Sequence, residues 1–191
     1  MKIAVINLKG GVGKTPIAFS IAKDMGLYYQ SNDNSLVAKI YPKMARISAK
    51  LENIDDCVYD FGGFVDHQIL DIIKECDFAI VPCIPDWNSI YRTHDTLSQI
   101  ADYVSGKIIV ICSALENKAD LEMIGRYLID NKVVPVEYFY LKFSKIFKNS
   151  IGSGKSFLEL YEENGLSKNQ YGSFIAQYVE LLKYIKQKKV K

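Results

Sequence analysis

Short apolar runs alternate with stretches of helical periodicity along the whole chain. Residues 2–8, 27–31, 56–60, 77–83, 107–113 and 133–140 read as strands, rich in Ile, Val, Tyr and Phe and bounded by turn-forming residues. Between them, residues 14–25, 65–75, 88–104 and 118–130 carry apolar residues at helical spacing, and helices over 155–163 and 168–188 close the chain. In the first helix Ile17, Ile21 and Met25 share one face, and Gly26 ends it. Residues 32–54 are ambiguous. Pro42 interrupts them, and residues 36–41 fit a strand or a short helix equally well. Strands alternating with helices predict an α/β fold with a mainly parallel sheet flanked by helices. No repeat, low-complexity tract or linker divides the sequence, so a single domain over 1–191 is expected.

The first strand runs into Lys9-Gly10-Gly11-Val12-Gly13-Lys14-Thr15. A strand feeding a glycine-rich turn that opens a helix with lysine and threonine is the arrangement that holds nucleotide phosphates. Glycines let the backbone approach the anion, their N–H groups form a concavity for it, and the helix N-terminus adds partial positive charge. Lys14 can then reach the β- and γ-phosphates, and the Thr15 hydroxyl can coordinate Mg²⁺. A second candidate element is Cys57-Val58-Tyr59-Asp60-Phe61-Gly62-Gly63. A strand-end aspartate, Asp60, can hold a Mg²⁺-bound water, and Gly63 lets a backbone N–H approach a γ-phosphate. The alternative for Asp60 is a plain helix-capping role. The D-F-G triplet here has no other kinase feature around it.

Composition is that of a soluble globular chain, 49% hydrophobic and 24% charged. No apolar stretch reaches membrane-spanning length and the first strand leaves no room for a signal peptide, so a cytoplasmic location is expected. Cys57, Cys76, Cys83 and Cys112 are widely spaced and form no C-x-x-C pair, which reads as reduced thiols in the core rather than a metal site. His67 and His94 fall in helical segments away from any nucleophile pattern. The net charge of +2 conceals a division. Residues 1–130 carry 13 basic and 17 acidic side chains, whereas residues 131–191 carry 11 and 5. Positive charge is densest at Lys183, Lys186, Lys188, Lys189 and Lys191, beyond the apolar face of the last helix.

The loop departs from G-x-x-x-x-G-K-[ST] at its first position, Leu8, and carries an extra lysine, Lys9. In this it resembles the deviant Walker A motif, K-G-G-x-G-K-T, of the ParA/MinD family of dimerising P-loop ATPases. The resemblance implies a three-layer P-loop NTPase fold, ATP and Mg²⁺ bound at Gly10, Gly11, Val12, Gly13, Lys14 and Thr15 with Asp60, and a homodimer in the ATP state. It also implies that Lys9 crosses to the partner's nucleotide. Two positions depart from the family pattern. Pro16 stands where a second hydroxyl residue is usual and has no N–H to donate, which predicts nucleotide binding weaker by about 1–2 kcal/mol. Ser31 falls where the water-positioning aspartate of the second strand belongs, with Asp33 at the next site, so either Asp33 takes over, or Mg²⁺ and loop positioning suffice for slow turnover, or hydrolysis is weak.

For ParA-type members the resemblance further implies non-specific DNA binding by C-terminal basic residues and a ParB-like DNA-bound adaptor, hence association with the nucleoid. Lysines engaging about five phosphates would give a salt slope near −4 to −5. A MinD-like membrane helix is less favoured, because the lysines lie beyond the apolar stripe rather than along it. A bland reading also stands: a terminal helix packed on the sheet with a solvated tail. The alternative function is a scaffold ATPase with weak hydrolysis that positions a protein partner at a membrane or cell pole.

Overall fold

The computed structural model describes residues 1–63, 65–131 and 134–187. Seven strands among them form one all-parallel sheet in the order β3-β2-β4-β1-β5-β6-β7. They are β1 (Lys2–Val5), β2 (Tyr28–Ser31), β3 (Ala45–Ile47), β4 (Cys57–Asp60), β5 (Phe78–Cys83), β6 (Lys107–Leu115) and β7 (Glu137–Lys142). The helices are α1 (Lys14–Met25), α2 (Val37–Ile40), α3 (His67–Lys74), α4 (Trp87–Ile100), α5 (Lys118–Asp130), α6 (Ile146–Ser153), α7 (Phe157–Glu162) and α8 (Gly165–Gln187).

Strands buried on both faces need apolar side chains at successive positions, which is why β1, β4, β5 and β6 read as nearly unbroken hydrophobic runs. Their residues then alternate between two cores. Ile3, Val5, Val58, Ile80, Ile109 and Ile111 pack in one cluster with α1, α6, α7 and α8. Ala4, Tyr59, Ala79, Val81, Val110 and Cys112 face the other, with α3, α4 and α5. The result is the expected three-layer α/β architecture. All four cysteines are buried and unbridged, and burial lifts the thiols of Cys57 and Cys76 to about 11 and 12, as suits core filling.

Where structure and sequence expectation differ, local physics explains it. The first strand ends at Val5, its last sheet bond running from Ile6 N–H to the Ile80 carbonyl at 2.9 Å, and Leu8 N–H donates to Thr96 Oγ1 of α4 at 3.0 Å, which turns the chain into the loop. Within 32–54, residues 37–40 are helical and the three half-buried residues of β3 make a short sheet edge, too brief for a periodicity signal. Helix α6 was not expected, because I-F-K-N-S-I-G-S is short and mixes poor helix formers. The last helix starts three residues early because the Asn164 side chain accepts the Ser167 N–H at 2.9 Å. The sixth expected strand is β7, displaced to Glu137–Lys142; of its expected span, residue 133 lies outside the described residues, as do Lys188, Lys189 and Lys191.

Helix α8 runs antiparallel to β7. The Lys142 N–H at the carboxyl end of β7 donates to Gln177 Oε1, while Tyr184 packs on Phe78 and Phe139 near the amino ends of β5 and β7. Lys183 and Lys186 therefore sit at the sheet edge opposite the glycine-rich loop. At the loop end, the ring centroid of Phe157 of α7 lies 5.2 Å from that of Phe147 of α6, tilted, and 5.1 Å from those of Phe174 and Tyr178 of α8, edge to face. Tyr178 in turn donates to Asp24 Oδ2 of α1 at 3.0 Å. Phe157→Ala should cost about 3–5 kcal/mol of stability, because the cavity it leaves joins three helices. Urea unfolding measures this, and a loss under 1 kcal/mol would show that the cluster is not cohesive.

Candidate functional site

Open α/β sheets place their clefts at the carboxyl ends of the strands, and the largest concentration of unusual polar contacts lies there. The segment Leu8–Gly13 links β1 to α1, with Gly11 and Gly13 at φ 79° and 89°. Gly13 is doubly constrained, since a Cβ there would meet Phe147 Cε1 of α6 at 2.9 Å. Among the described residues, the N–H groups of Gly10, Gly11, Val12 and Gly13 have no hydrogen-bond partner in the protein. A row of free N–H donors at a helix start is a concavity for an anion.

Lys14 opens α1 and is buried. Its Nζ donates to the carbonyls of Asn7 at 3.0 Å and Lys9 at 2.9 Å, and burial lowers its pKa against the opposing pull of Asp60 and Asp33. The ammonium is thus held beneath the loop on neutral acceptors it can exchange for phosphate oxygens. Asn7 fixes the turn above it. Its Oδ1 accepts the Lys9 N–H at 2.8 Å, and its Nδ2 donates to Pro82 O at 2.7 Å and Thr93 Oγ1 at 2.9 Å.

Asp60 ends β4, beside β1 and β2 in register with Val5 and Ser31. Both Thr15 Oγ1 and Tyr29 OH donate to its Oδ2, each at 2.7 Å. Burial pushes its carboxyl up to about 6, and the two hydroxyl donors only partly offset that. Ser31 is fully buried, and its hydroxyl donates to the Asp60 main-chain carbonyl at 2.8 Å while accepting the Asp33 N–H at 3.1 Å. The serine therefore braces the Asp60 main chain and is not part of the cavity lining. Asp33 is part of it, exposed on the turn after β2.

The cavity measures about 610 Å³, within the range of small-molecule sites. Gly10, Gly11, Val12, Gly13, Lys14, Thr15, Pro16 and Asp33 line one side of it. Opposite them are Ser113 and Ala114 at the β6 bulge, and Phe143, Ser144, Phe147, Lys148 and Ile151 on and before α6. Ala114 itself holds φ 59°, an uncommon conformation for a residue with a Cβ. Of the residues expected at the nucleotide site, Lys9, Asp60 and Gly63 lie outside the cavity lining, and buried Asp60 reaches it only through its bond from Thr15. Lys9 is half-buried at the loop's start, and Gly63 sits against the Leu8 carbonyl, which a Cβ would approach to 3.1 Å. Asn7, Tyr29 and the α6 wall were missed. Each lies in an apolar or mixed run that reads as ordinary core or surface, and only the glycine at 13 hinted at close packing above it.

No family model and no curated protein matches the sequence. Solved structures match its fold over most of their length. The apo form of McdA from Cyanothece shows a TM-score of 0.65 at 14% identity, covering 91% of this chain and 98% of that one. A ParA-family ATPase from Chlorobium tepidum gives 0.62 at 16% identity over 87% and 94%. The MinD cell division protein of Aquifex aeolicus gives 0.59 at 15% over 88% and 92%. The fold is that of the ParA/MinD-type P-loop ATPases.

Two outcomes follow. Gly13→Ala should destabilise the protein by about 1–2 kcal/mol from the left-handed backbone alone, with more from displacing Phe147, as read by urea unfolding; an unchanged midpoint would contradict the loop conformation. Asp60→Asn tests the buried charge. A carboxyl raised to about 6 carries no penalty below the unfolded value near 3.8, and the penalty grows as pH rises through 6. The asparagine variant should therefore melt higher than wild type at pH 7.5, by an equivalent of about 2–3 kcal/mol, and show little difference near pH 4. Equal stability at both values would mean the carboxylate is not buried.

Proposed function

We propose that the chain is a dimerising Mg²⁺-dependent ATPase of the ParA/MinD type acting in DNA partition. The observation that carries this reading is the convergence, at one cavity, of four unpaired loop N–H groups, the buried Lys14 ammonium and Thr15, whose hydroxyl donates to the buried Asp60 behind it. Gly10–Gly13 and the α1 N-terminus would cradle the phosphates. Lys14 would exchange its two carbonyl partners for β- and γ-phosphate oxygens. Thr15 and Asp60 fit a Mg²⁺ ion, the first by its hydroxyl and the second through a water, and the ion would neutralise charge on those oxygens. Pro16 in the first turn lines the cavity but offers no donor. Asp33 is the cavity carboxylate placed to orient water, and Gly63, against the loop's carbonyl, is the site where the β4 turn can respond to hydrolysis.

Lys9 lies outside its own cavity lining, which suits a lysine that reaches the nucleotide of a second copy. The neighbouring α4 exposes Trp87 at 63% and Tyr91 at 54%, aromatic surface of the kind that interfaces bury. The lysine-rich end, Lys183 and Lys186 with Lys188, Lys189 and Lys191 beyond the described residues, would contact DNA phosphates without reading sequence. Dimerisation would double those contacts, so ATP would set DNA affinity and a ParB-like adaptor would stimulate release. The cytoplasmic, nucleoid-associated location follows from this reading. Among the described residues no helix is long and apolar enough to cross a membrane.

One observation favours a second reading. The Ser31 hydroxyl is committed to Asp60, so β2 delivers no water-positioning carboxylate at that position. A slow scaffold ATPase that positions a protein partner fits this equally well.

Sedimentation velocity with ATP, ADP or no nucleotide, each with and without duplex DNA, separates these readings. The partition reading predicts a dimer with ATP only, which retains DNA at low salt. Lys9→Ala should remain monomeric with ATP while still binding it. Dimerisation unchanged in that variant would exclude Lys9 as the crossing residue, and an ATP dimer that ignores DNA would favour the scaffold.

A further inference from the structure

Strand β2 places two alternate residues, Tyr29 and Ser31, on the same face, and both donate to Asp60. Ser31 holds the main-chain carbonyl and Tyr29 the carboxylate. Tyr29 is fully buried, in the cluster that contains Ile17, Val37 and Val58. A phenylalanine would fill that space equally well. The hydroxyl therefore needs its own explanation, because a buried O–H is tolerated only with a partner. Its partner is the oxygen that also accepts from Thr15.

That shared oxygen decides the geometry of the carboxylate. An ionised carboxylate oxygen has two lone-pair sites, and on Asp60 Oδ2 both are taken by hydroxyl donors from two different elements. Donors fixed by α1 on one side and β2 on the other determine the plane of the group. Among the described residues, Asp60 Oδ1 accepts no hydrogen bond. It is the oxygen left to accept from the water of a bound cation.

We propose that Tyr29 is a positioning residue for the cation site, holding Asp60 through Oδ2 so that Oδ1 is presented to a Mg²⁺-bound water. The proposal rests on the nucleotide reading given above. In it, β2 no longer supplies a carboxylate to the attacking water and instead braces the carboxylate of β4. Thr15 can keep its proton on Oδ2 while its lone pair turns to the metal, so cation binding leaves the Tyr29 contact in place.

A structural tyrosine and a positioning one differ in what they do to the Mg²⁺ dependence of nucleotide affinity. The experiment titrates a fluorescent ADP analogue into wild type, Tyr29→Phe, Asp60→Asn and the double variant, each in Mg²⁺ and in EDTA. Wild type should bind more tightly in Mg²⁺. Tyr29→Phe should lower that Mg²⁺ advantage about fivefold to tenfold, as expected for one hydrogen bond to a charged group, with affinity in EDTA unchanged within about twofold. In the Asp60→Asn background the same change should leave the ratio where it was, since the tyrosine acts only through that carboxylate. An equal loss in both buffers, or an unaltered ratio, overturns the proposal while leaving the nucleotide site intact. Wild-type protein that binds the analogue in neither buffer overturns the nucleotide reading itself. Binding indifferent to Mg²⁺ contradicts the cation site at Asp60, and the role of Tyr29 with it.

Discussion

A carboxylate with almost no solvent around it, at the meeting point of the sheet and the loop helix, is the constraint on which the site depends. Burying Asp60 is unfavourable, and the structure spends hydroxyls from two elements on one of its oxygens and a third on its carbonyl. Each of those bonds ties a different part of the chain to the end of β4. Thr15 fixes the start of α1, Tyr29 fixes the face of β2, and Ser31 fixes the register of the two strands. The same desolvation that raises the carboxyl makes a divalent cation a strong partner for it, because opposite charges attract more in a site with little water.

Lys14 faces a parallel situation. Its ammonium is buried on two carbonyls that the loop itself provides, one of them held by Asn7 between β5 and α4. Loop, α4 and lysine thus form one hydrogen-bonded unit, so an anion that draws Lys14 away also releases the carbonyls that shape the turn. On the opposite wall, Phe147 presses on Gly13 and is itself anchored in the aromatic cluster of α7 and α8. Rigidity at the loop comes from packing on one side and from hydrogen bonding on the other.

Much of this was legible in the sequence. Two-sided burial writes itself as unbroken apolar runs, so β1, β4, β5 and β6 were placed within a few residues, and α1 was bounded by residues 14 and 25 because the loop opens it and Gly26 closes it. The loop was legible because positive φ and close backbone approach demand glycine. Less visible were features whose residue types have ordinary explanations. Tyr29 in a strand reads as core, and only the fold brings its hydroxyl to a residue 31 positions away. Asn7 reads as the end of a strand, yet its amide spans β5 and α4. Ser31 was recognised as occupying an expected aspartate position, but nothing local says that its hydroxyl turns to a neighbouring strand. The α6 wall depends on aromatic contacts from two later helices, which no window of the sequence contains.

All of these interactions converge on one claim, that the loop end of the sheet holds a magnesium nucleotide through Lys14. The most direct measurement is equilibrium binding of a fluorescent ATP analogue to wild type and Lys14→Ala in the presence of Mg²⁺, with melting curves confirming that both are folded. The account predicts one site per chain in the wild type and a loss of affinity of at least about a hundredfold in the variant, the scale of removing a buried, charge-assisted phosphate contact. Equal affinity in the two folded proteins would contradict it.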